Sequence, residues 1–374
     1  MTRKLAWLIA SVALVGCSST TTESGFAGDE TANAGRATGG GEGSDFSGGT
    51  APSPGSSSSG GGTSGAATGT DGANPGTQQQ AGQLTAGVWD DNLNFDWYSK
   101  YTSNSELTLT GLPIFTSAER TAAKDKFAQR SAKTQLDVAF LFDTTGSMGD
   151  ELSYLQAEID SIADSIANKF PSATARYGLV LYRDTGDAYL TKKFDFTDSL
   201  STFQTQLSQQ GAAGGGDYPE AVAEGLTDAN SLSWRADANV ARITFWIADA
   251  PTQTTKTAAL KTAIQSSVQQ DIHIYPVAAS GTDARAEYAM RSAAQISGGR
   301  YIFLTDDSGV GGAHAEPHIP CYVVTKFDRA LVRMVESEMS GSHITAPAGE
   351  ILRTVGSPVD GKCETQKSGQ VVLY

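Results

Sequence analysis

The stretch from Leu136 to Met148, LDVAFLF followed by DTTGSM, decides how the chain is read. An apolar run of this length that ends on a carboxylate, with two hydroxyl side chains spaced two apart behind it, reads as a buried strand running into a polar loop. Similar runs recur downstream as RYGLVLY (176–182), RITFWIAD (242–249), IHIYPVAA (272–279) and GRYIFL (299–304), with helical patterns between them. Strands that are apolar on both faces and alternate with helices predict a doubly wound α/β fold with a mostly parallel sheet flanked by helices. The helix after DTTGSM shows the pattern best: Leu152, Leu155, Ile159, Ile162 and Ile166 recur at steps of three and four and form one apolar stripe. A last helix is predicted over roughly Lys326 to Ser340.

In such sheets ligands collect outside the carboxyl ends of the strands, where strand order reverses. Asp143 stands at one such end and Asp249 at another. The loop GGGDYPE (214–220) precedes a helical stretch and brings Asp217 and Glu220 toward the same edge. With Thr145 and Ser147, these loops offer hard oxygen donors, the set that suits Mg2+ together with retained waters. Neutral hydroxyl ligands leave positive charge on the ion, so an acidic group from another molecule can complete its shell. A helix starting near Gly149 would also direct its positive end toward anions.

The order D-x-T-x-S at Asp143, Thr145 and Ser147, an acidic loop, then Asp249 after an apolar strand resembles a von Willebrand factor A domain over about residues 135–341. The resemblance implies a divalent cation, Mg2+ or Mn2+, at a metal-ion-dependent adhesion site held by Asp143, Thr145, Ser147 and Asp249. The middle loop, with Asp217, Pro219 and Glu220, looks like the D-x-P-E segment of integrin beta subunits, leaving either Asp217 or Glu220 as the second-loop ligand. In SMGDE (147–151), Asp150 and Glu151 occupy positions that in those subunits contribute to a neighbouring Ca2+ site. The long specificity insertion of integrin beta subunits has no counterpart here.

Other readings of these residues were weighed. DTTGS as a plain turn and helix cap is the bland one, since Asp, Thr and Ser favour both roles. DTTGS also resembles the D-K-T-G-T loop of enzymes that form an aspartyl phosphate. Asp143 would then be a nucleophile, with Asp306 and Asp307 near the metal. The Lys of that loop is Thr144 here, and Asp249 and DYPE would go unexplained, so a non-enzymatic role is expected. His314, His318 and Cys321 in HAEPHIPC suggest zinc ligands, but Pro317 spoils the helix that a histidine pair four apart would need. His273, inside IHIYPV, is expected in the core or at a sheet edge. GAAGGGD lacks the Lys-Ser/Thr of a phosphate-binding loop, and no G-x-S-x-G elbow occurs.

Around this domain the composition changes sharply. Residues 1–17 read as an export signal: Arg3 and Lys4, then an apolar run too short to span a bilayer. Leu14–Cys17 (LVGC) resembles the lipobox of bacterial lipoproteins, which implies acylation of Cys17 and a lipid anchor in the cell envelope, at the outer membrane in Gram-negative cells. Residues 18–83 are rich in Gly, Ser and Thr and read as a tether; ~65 residues of random coil reach roughly 45 Å. The aromatic residues Trp89, Phe95, Trp97, Tyr98 and Tyr101 mark folded sequence again. Residues 84–134 are expected to dock on the main domain, with a short strand in SELTLTGLPIF and a helix over 116–132. The remaining cysteines, Cys321 and Cys363, are expected to pair in an oxidising compartment, tying the tail (342–374) to the domain. With a formal net charge of -14, the chain is a poor candidate for nucleic acid. The expected function is cation-dependent binding of a protein or glycan, with a metal-independent structural role in an envelope complex as the alternative.

Overall fold

A computed structural model describes residues 81–104 and 110–373. The expected signal peptide, Cys17 and nearly all of the tether lie outside the described residues, as does the start of SELTLTGLPIF (105–109). The elements run β1 (Thr85–Trp89), α1 (Phe95–Asn104), α2 (Ser117–Phe127), β2 (Gln135–Asp143), α3 (Leu152–Lys169), β3 (Thr174–Tyr182), β4 (Thr191–Thr197), α4 (Leu200–Ser208), α5 (Val222–Asn230) and β5 (Val240–Ala248). Then follow α6 (Thr257–Gln269), β6 (His273–Ala278), α7 (Ala284–Ser297), β7 (Tyr301–Leu304), β8 (Tyr322–Lys326), α8 (Phe327–Ser340), β9 (Arg353–Val355), β10 (Lys362–Thr365) and β11 (Gly369–Val372). Among the described residues no helix is long and apolar enough to cross a membrane.

Nine strands form one sheet in the order β4-β3-β2-β5-β6-β7-β1-β8-β9. The pairs β2–β3, β2–β5, β5–β6 and β6–β7 are parallel, so the predicted doubly wound sheet is present, with β4, β1 and β9 antiparallel to their neighbours. Side-chain alternation along β2 divides the core. Leu136, Val138, Phe140 and Phe142 join Leu155, Ile159, Ile162 and Ile166 of α3 and the inner face of α8 on one side of the sheet. Ala139 and Leu141 meet α5, α6 and α7 residues on the other. Each fully buried Leu, Ile or Phe contributes about 1.5–3 kcal/mol, so this two-sided burial is the main force holding the layers together.

Two regions differ from the sequence reading. The segment beginning at residue 84 is more than a docked extension: β1 is inserted between β7 and β8, and all five of its residues are buried. Gly87 makes that insertion sterically possible, because a Cβ there would lie 2.2 Å from the Phe303 ring. The helix expected over 116–132 ends at Phe127, after an N-cap at Thr116 whose partner Glu119 completes a capping box. The aromatic cluster is core, as expected: the Arg291 guanidinium lies 5.0 Å from the Trp97 and Tyr98 ring centres and 5.2 Å from that of Tyr101, clamping α1 onto α7. Cys321 and Cys363 form the expected disulfide, which joins the β10–β11 hairpin to the start of β8.

Buried charges are paired along the amino edge of the parallel strands. Asp137 accepts Arg176 Nε at 2.9 Å and Arg235 Nε at 2.9 Å, and those bonds outweigh burial and hold its carboxyl below the usual range. Asp91 accepts Arg291 Nη2 at 2.6 Å, and Asp90 accepts Arg300 Nε at 2.8 Å. Glu338 faces Arg130 at 2.7 Å and His273 Nδ1 at 2.8 Å and also accepts the Tyr275 hydroxyl; burial opposes ionisation there, but these partners keep the group strongly acidic. His273 is thus a sheet-edge residue, as its sequence context predicted.

Candidate metal centre

At the carboxyl edge, β2 ends on Asp143 beside the reversal of strand order, with β3 on one side and β5 on the other. The chain then turns through a 3-10 segment, Gly146–Asp150, before α3 begins at Leu152, later than the helix start expected near Gly149. This turn folds the side chains back. Thr145 donates its backbone N–H and its hydroxyl to Asp143 Oδ1, at 3.0 and 2.6 Å, and Thr145 Oγ1 lies 3.2 Å from Ser147 Oγ. Asp143 and Thr145 are buried, whereas Ser147 reaches the surface. The three first-loop residues are therefore mutually hydrogen-bonded, as a ligand cluster with locked rotamers requires.

The second loop closes over this cluster. Gly146 N–H donates to Gly214 O and Ala213 N–H to Thr144 O, which seats the glycine-rich segment on the first loop. Gly215 has φ +74, and a Cβ there would meet Thr145 Cβ at 3.1 Å and Glu220 Oε1 at 3.2 Å. Glycine is needed both for the backbone conformation and for the approach of Glu220 to Thr145. Glu220 is buried and its N–H donates to Pro251 O, with a β-bridge between Glu220 and Thr252. Loop two is thus stitched to loop three, where Asp249 is also buried. Asp217, the other second-loop candidate, is exposed; the structure gathers Asp143, Glu220 and Asp249 and leaves Asp217 at the rim.

The electrostatics of the cluster are those of charges without a counter-ion. Burial and the nearby Asp249 charge push the Asp143 carboxyl up to about 7, with the Thr145 hydrogen bonds and the Tyr182 hydroxyl opposing. Burial, then the charges of Asp143, Asp184, Asp249 and Asp187, push Glu220 up to about 9. Asp143 Oδ2, Glu220 Oε2 and Thr252 Oγ1 are buried and have no hydrogen-bond partner in the protein among the described residues. No Lys, Arg or His there forms an ion pair with Asp143 or Glu220. Asp184, which the sequence reading missed, is a further buried carboxylate at this edge and accepts Gln253 Nε2 at 2.6 Å. Its signal was faint, a single Asp two residues past the end of β3.

Among the described residues no three histidine, cysteine, aspartate or glutamate side chains converge closely enough to hold a metal by themselves. The set at this edge differs in kind: carboxylates spread over three loops, supplemented by the hydroxyls of Thr145 and Ser147. Orphaned buried carboxylate oxygens beside neutral hydroxyls fit a hard cation that retains part of its water shell.

Other residues singled out in the sequence lie elsewhere. Glu151 is buried and engaged: it accepts Ser280 N–H at 3.1 Å and lies 2.8 Å from His314 Nε2. The Asp150 side chain lies outside the described residues. Burial disfavours charge on His314, but Glu151 and Asp306 on its two nitrogens outweigh it and raise its pKa above the ordinary value. His318 pairs with Glu287 and Cys321 is oxidised, so HAEPHIPC forms no zinc cluster. Asp307 is held by Arg353 at 2.9 Å, and both Asp306 and Asp307 belong to the turn after β7.

Comparison with known proteins fits this geometry. Residues 137–309 match the family described as von Willebrand factor A domain. The chain is 31% identical over 117 residues to the alpha-protein kinase vwkA of Dictyostelium discoideum and 33% identical over 116 residues to a putative ariadne-like RING finger protein of Acanthamoeba polyphaga mimivirus. Each match takes in 31% of this chain, but only 18% and 11% of those proteins. Among solved structures, the conserved hypothetical protein BatB from Bacteroides thetaiotaomicron aligns with 55% of this chain and 98% of its own, at 12% identity and a TM-score of 0.35. The family match over 137–309 and the doubly wound sheet together support a von Willebrand factor A domain in this part of the chain.

Proposed function

We propose that the carboxyl edge holds one divalent cation, Mg2+ or Mn2+, and presents it to an acidic group on a partner protein or glycan. The observation that carries this reading is the pair of buried carboxylate oxygens, Asp143 Oδ2 and Glu220 Oε2, without a protein partner in a cluster that raises its own pKa values. Asp143, Ser147, Glu220 and Asp249 would hold the ion, with Thr145 supplying a hydroxyl and orienting Asp143. The ion would supply positive charge at a position open to an incoming oxygen. Ser147 stands at the exposed side of the cluster, where a partner would arrive, and the buried carboxylates behind it compensate the charge.

Von Willebrand factor A domains generally mediate protein interactions, which favours recognition over turnover. The lipobox-like LVGC favours a lipid-anchored envelope protein as the carrier of this recognition, with residues 18–83 as the spacer. Titration calorimetry of Mg2+, Mn2+ and Ca2+ into the metal-stripped full chain tests the site, beside Asp143→Ala and Asp249→Ala. Saturable binding that both variants lose supports the proposal. A well-folded wild type that binds none of the three ions sinks it and brings forward the metal-independent structural role. Incorporation of labelled fatty acid into the wild type but not Cys17→Ser tests the anchor.

A further inference from the structure

Within D-Y-P-E the residue that follows Asp217, Tyr218, has no role in the proposed cation site, yet it is the most connected side chain of the loop. Its hydroxyl lies 3.0 Å from Asp249 O and 3.0 Å from Gly281 O, sharing its one proton between the two carbonyls, and accepts Asp283 N–H at 3.1 Å. Three separate segments meet at this oxygen: the second loop that carries Glu220, the end of β5 that carries Asp249, and the turn between β6 and α7. The ring remains 42% exposed, so a partner approaching the cluster would meet it.

We infer that Tyr218 is a positioning residue, which fixes the spacing between Glu220 and Asp249 and couples the cation site to the turn 279–283. This rests on the proposed cation site and extends it to a residue that touches no ion. Glu220 is tied to loop three by its N–H to Pro251 O and the bridge to Thr252, while Gly214 and Gly215 are held by Gly146 N–H and Asp187, so Tyr218 lies in the stretch between these two anchors. The Tyr218 hydroxyl adds a third hold, between Glu220 and Asp249. The turn it grips is anchored in its own right: Ser280 N–H donates to Glu151, Gly281 N–H to Ala313 O, and the Asp283 side chain caps α7 by accepting Arg285 and Ala286 N–H. Tyr218 therefore fastens the acidic loop to a fixed support.

The test compares Tyr218→Phe with wild type in the full chain, by Mg2+ and Mn2+ calorimetry, by thermal melting in EDTA and at saturating Mg2+, and by amide hydrogen exchange over 279–283. The expected result is a Kd about tenfold weaker, at the lower end for loss of an outer-shell partner, because water can reach two of the three lost bonds. Exchange over 279–283 should quicken, and the melting temperature in EDTA should stay within about 2 °C of wild type. A merely structural tyrosine would lower both melting temperatures equally and leave Kd unchanged, and that result overturns the inference, as would unchanged Kd with unchanged exchange. If the wild type itself binds neither ion, the cation site falls and this coupling with it, an outcome read from the wild type alone.

Discussion

The two edges of the same sheet treat buried carboxylates in opposite ways. At the amino edge Asp137, Asp91, Asp90 and Glu338 each face an arginine, and in Asp137 and Glu338 the partners overcome the cost of burial and leave the acid stronger than in water. At the carboxyl edge Asp143 and Glu220 are as deeply buried, face other carboxylates, and are correspondingly weak acids. One chain, with ample arginine, neutralises its charges where they serve only the fold. Repulsion is left standing at the carboxyl edge, the arrangement expected if the proposed cation supplies the missing charge.

The largest effect that would break this contrast is on the paired side. Arg291→Ala leaves Asp91 and Glu287 buried without their cation and should cost about 3–5 kcal/mol, read from urea or guanidinium midpoints. Asp143→Asn in EDTA should move the other way, stabilising by up to roughly 4 kcal/mol, the free energy of a pKa displaced by about three units. If both substitutions destabilise alike, the edges are not different in kind.

A pH series sharpens the contrast. Asp143 and Glu220 have folded pKa values of about 7 and about 9, above their ordinary 3.8 and 4.5. Their contribution is therefore fully present below pH about 4 and is lost as pH rises toward 9. Asp137 and Glu338, with lowered pKa values, contribute above their ordinary range and lose that contribution as pH falls through their folded values. The EDTA-treated protein should be most stable at mildly acid pH, and saturating Mg2+ should remove the alkaline decline. An alkaline decline of equal slope with and without Mg2+ would mean that the carboxyl edge takes no ion.

The smallest expected effect separates the two second-loop acids. Glu220→Gln should weaken Mg2+ binding by at least about tenfold, whereas Asp217→Asn should change it by no more than about twofold, because Asp217 stands exposed at the rim. Equal losses would place Asp217 among the ligands.

Much of the strand set was readable because buried parallel strands are short apolar runs: β6 and β7 fall within the runs quoted from the sequence, and β2, β3 and β5 begin one or two residues before theirs. Among the elements that were missed, β4 and β1 lack that signature, whereas β8 (YVVTK) carries it over only five residues. β4, TKKFDFT, is an edge strand with two exposed lysines and little apolar content, and β1 is five residues long with a glycine at its centre. The position of β1 between β7 and β8 is set by long-range pairing, which local pattern does not encode. At the site, Asp143 and Asp249 were readable because a carboxylate ending an apolar strand is unusual, whereas Asp184 and Tyr218 lie in loops of ordinary composition.

The sequence by itself determined the layered α/β class, the edge where the polar loops gather, the first-loop acid and hydroxyls, and the pairing of Cys321 with Cys363. Each follows from short-range periodicity, strand-end chemistry or cysteine count. Tertiary structure alone decided that Glu220 and not Asp217 enters the cluster, that Glu151 is taken up by His314 and Ser280, and that Tyr218 joins three segments. Those outcomes depend on which loop backbone approaches which, and the approach is set by the packing of Gly215 on Thr145 and Glu220 and by the Glu220–Pro251 bond, contacts between residues far apart in the chain.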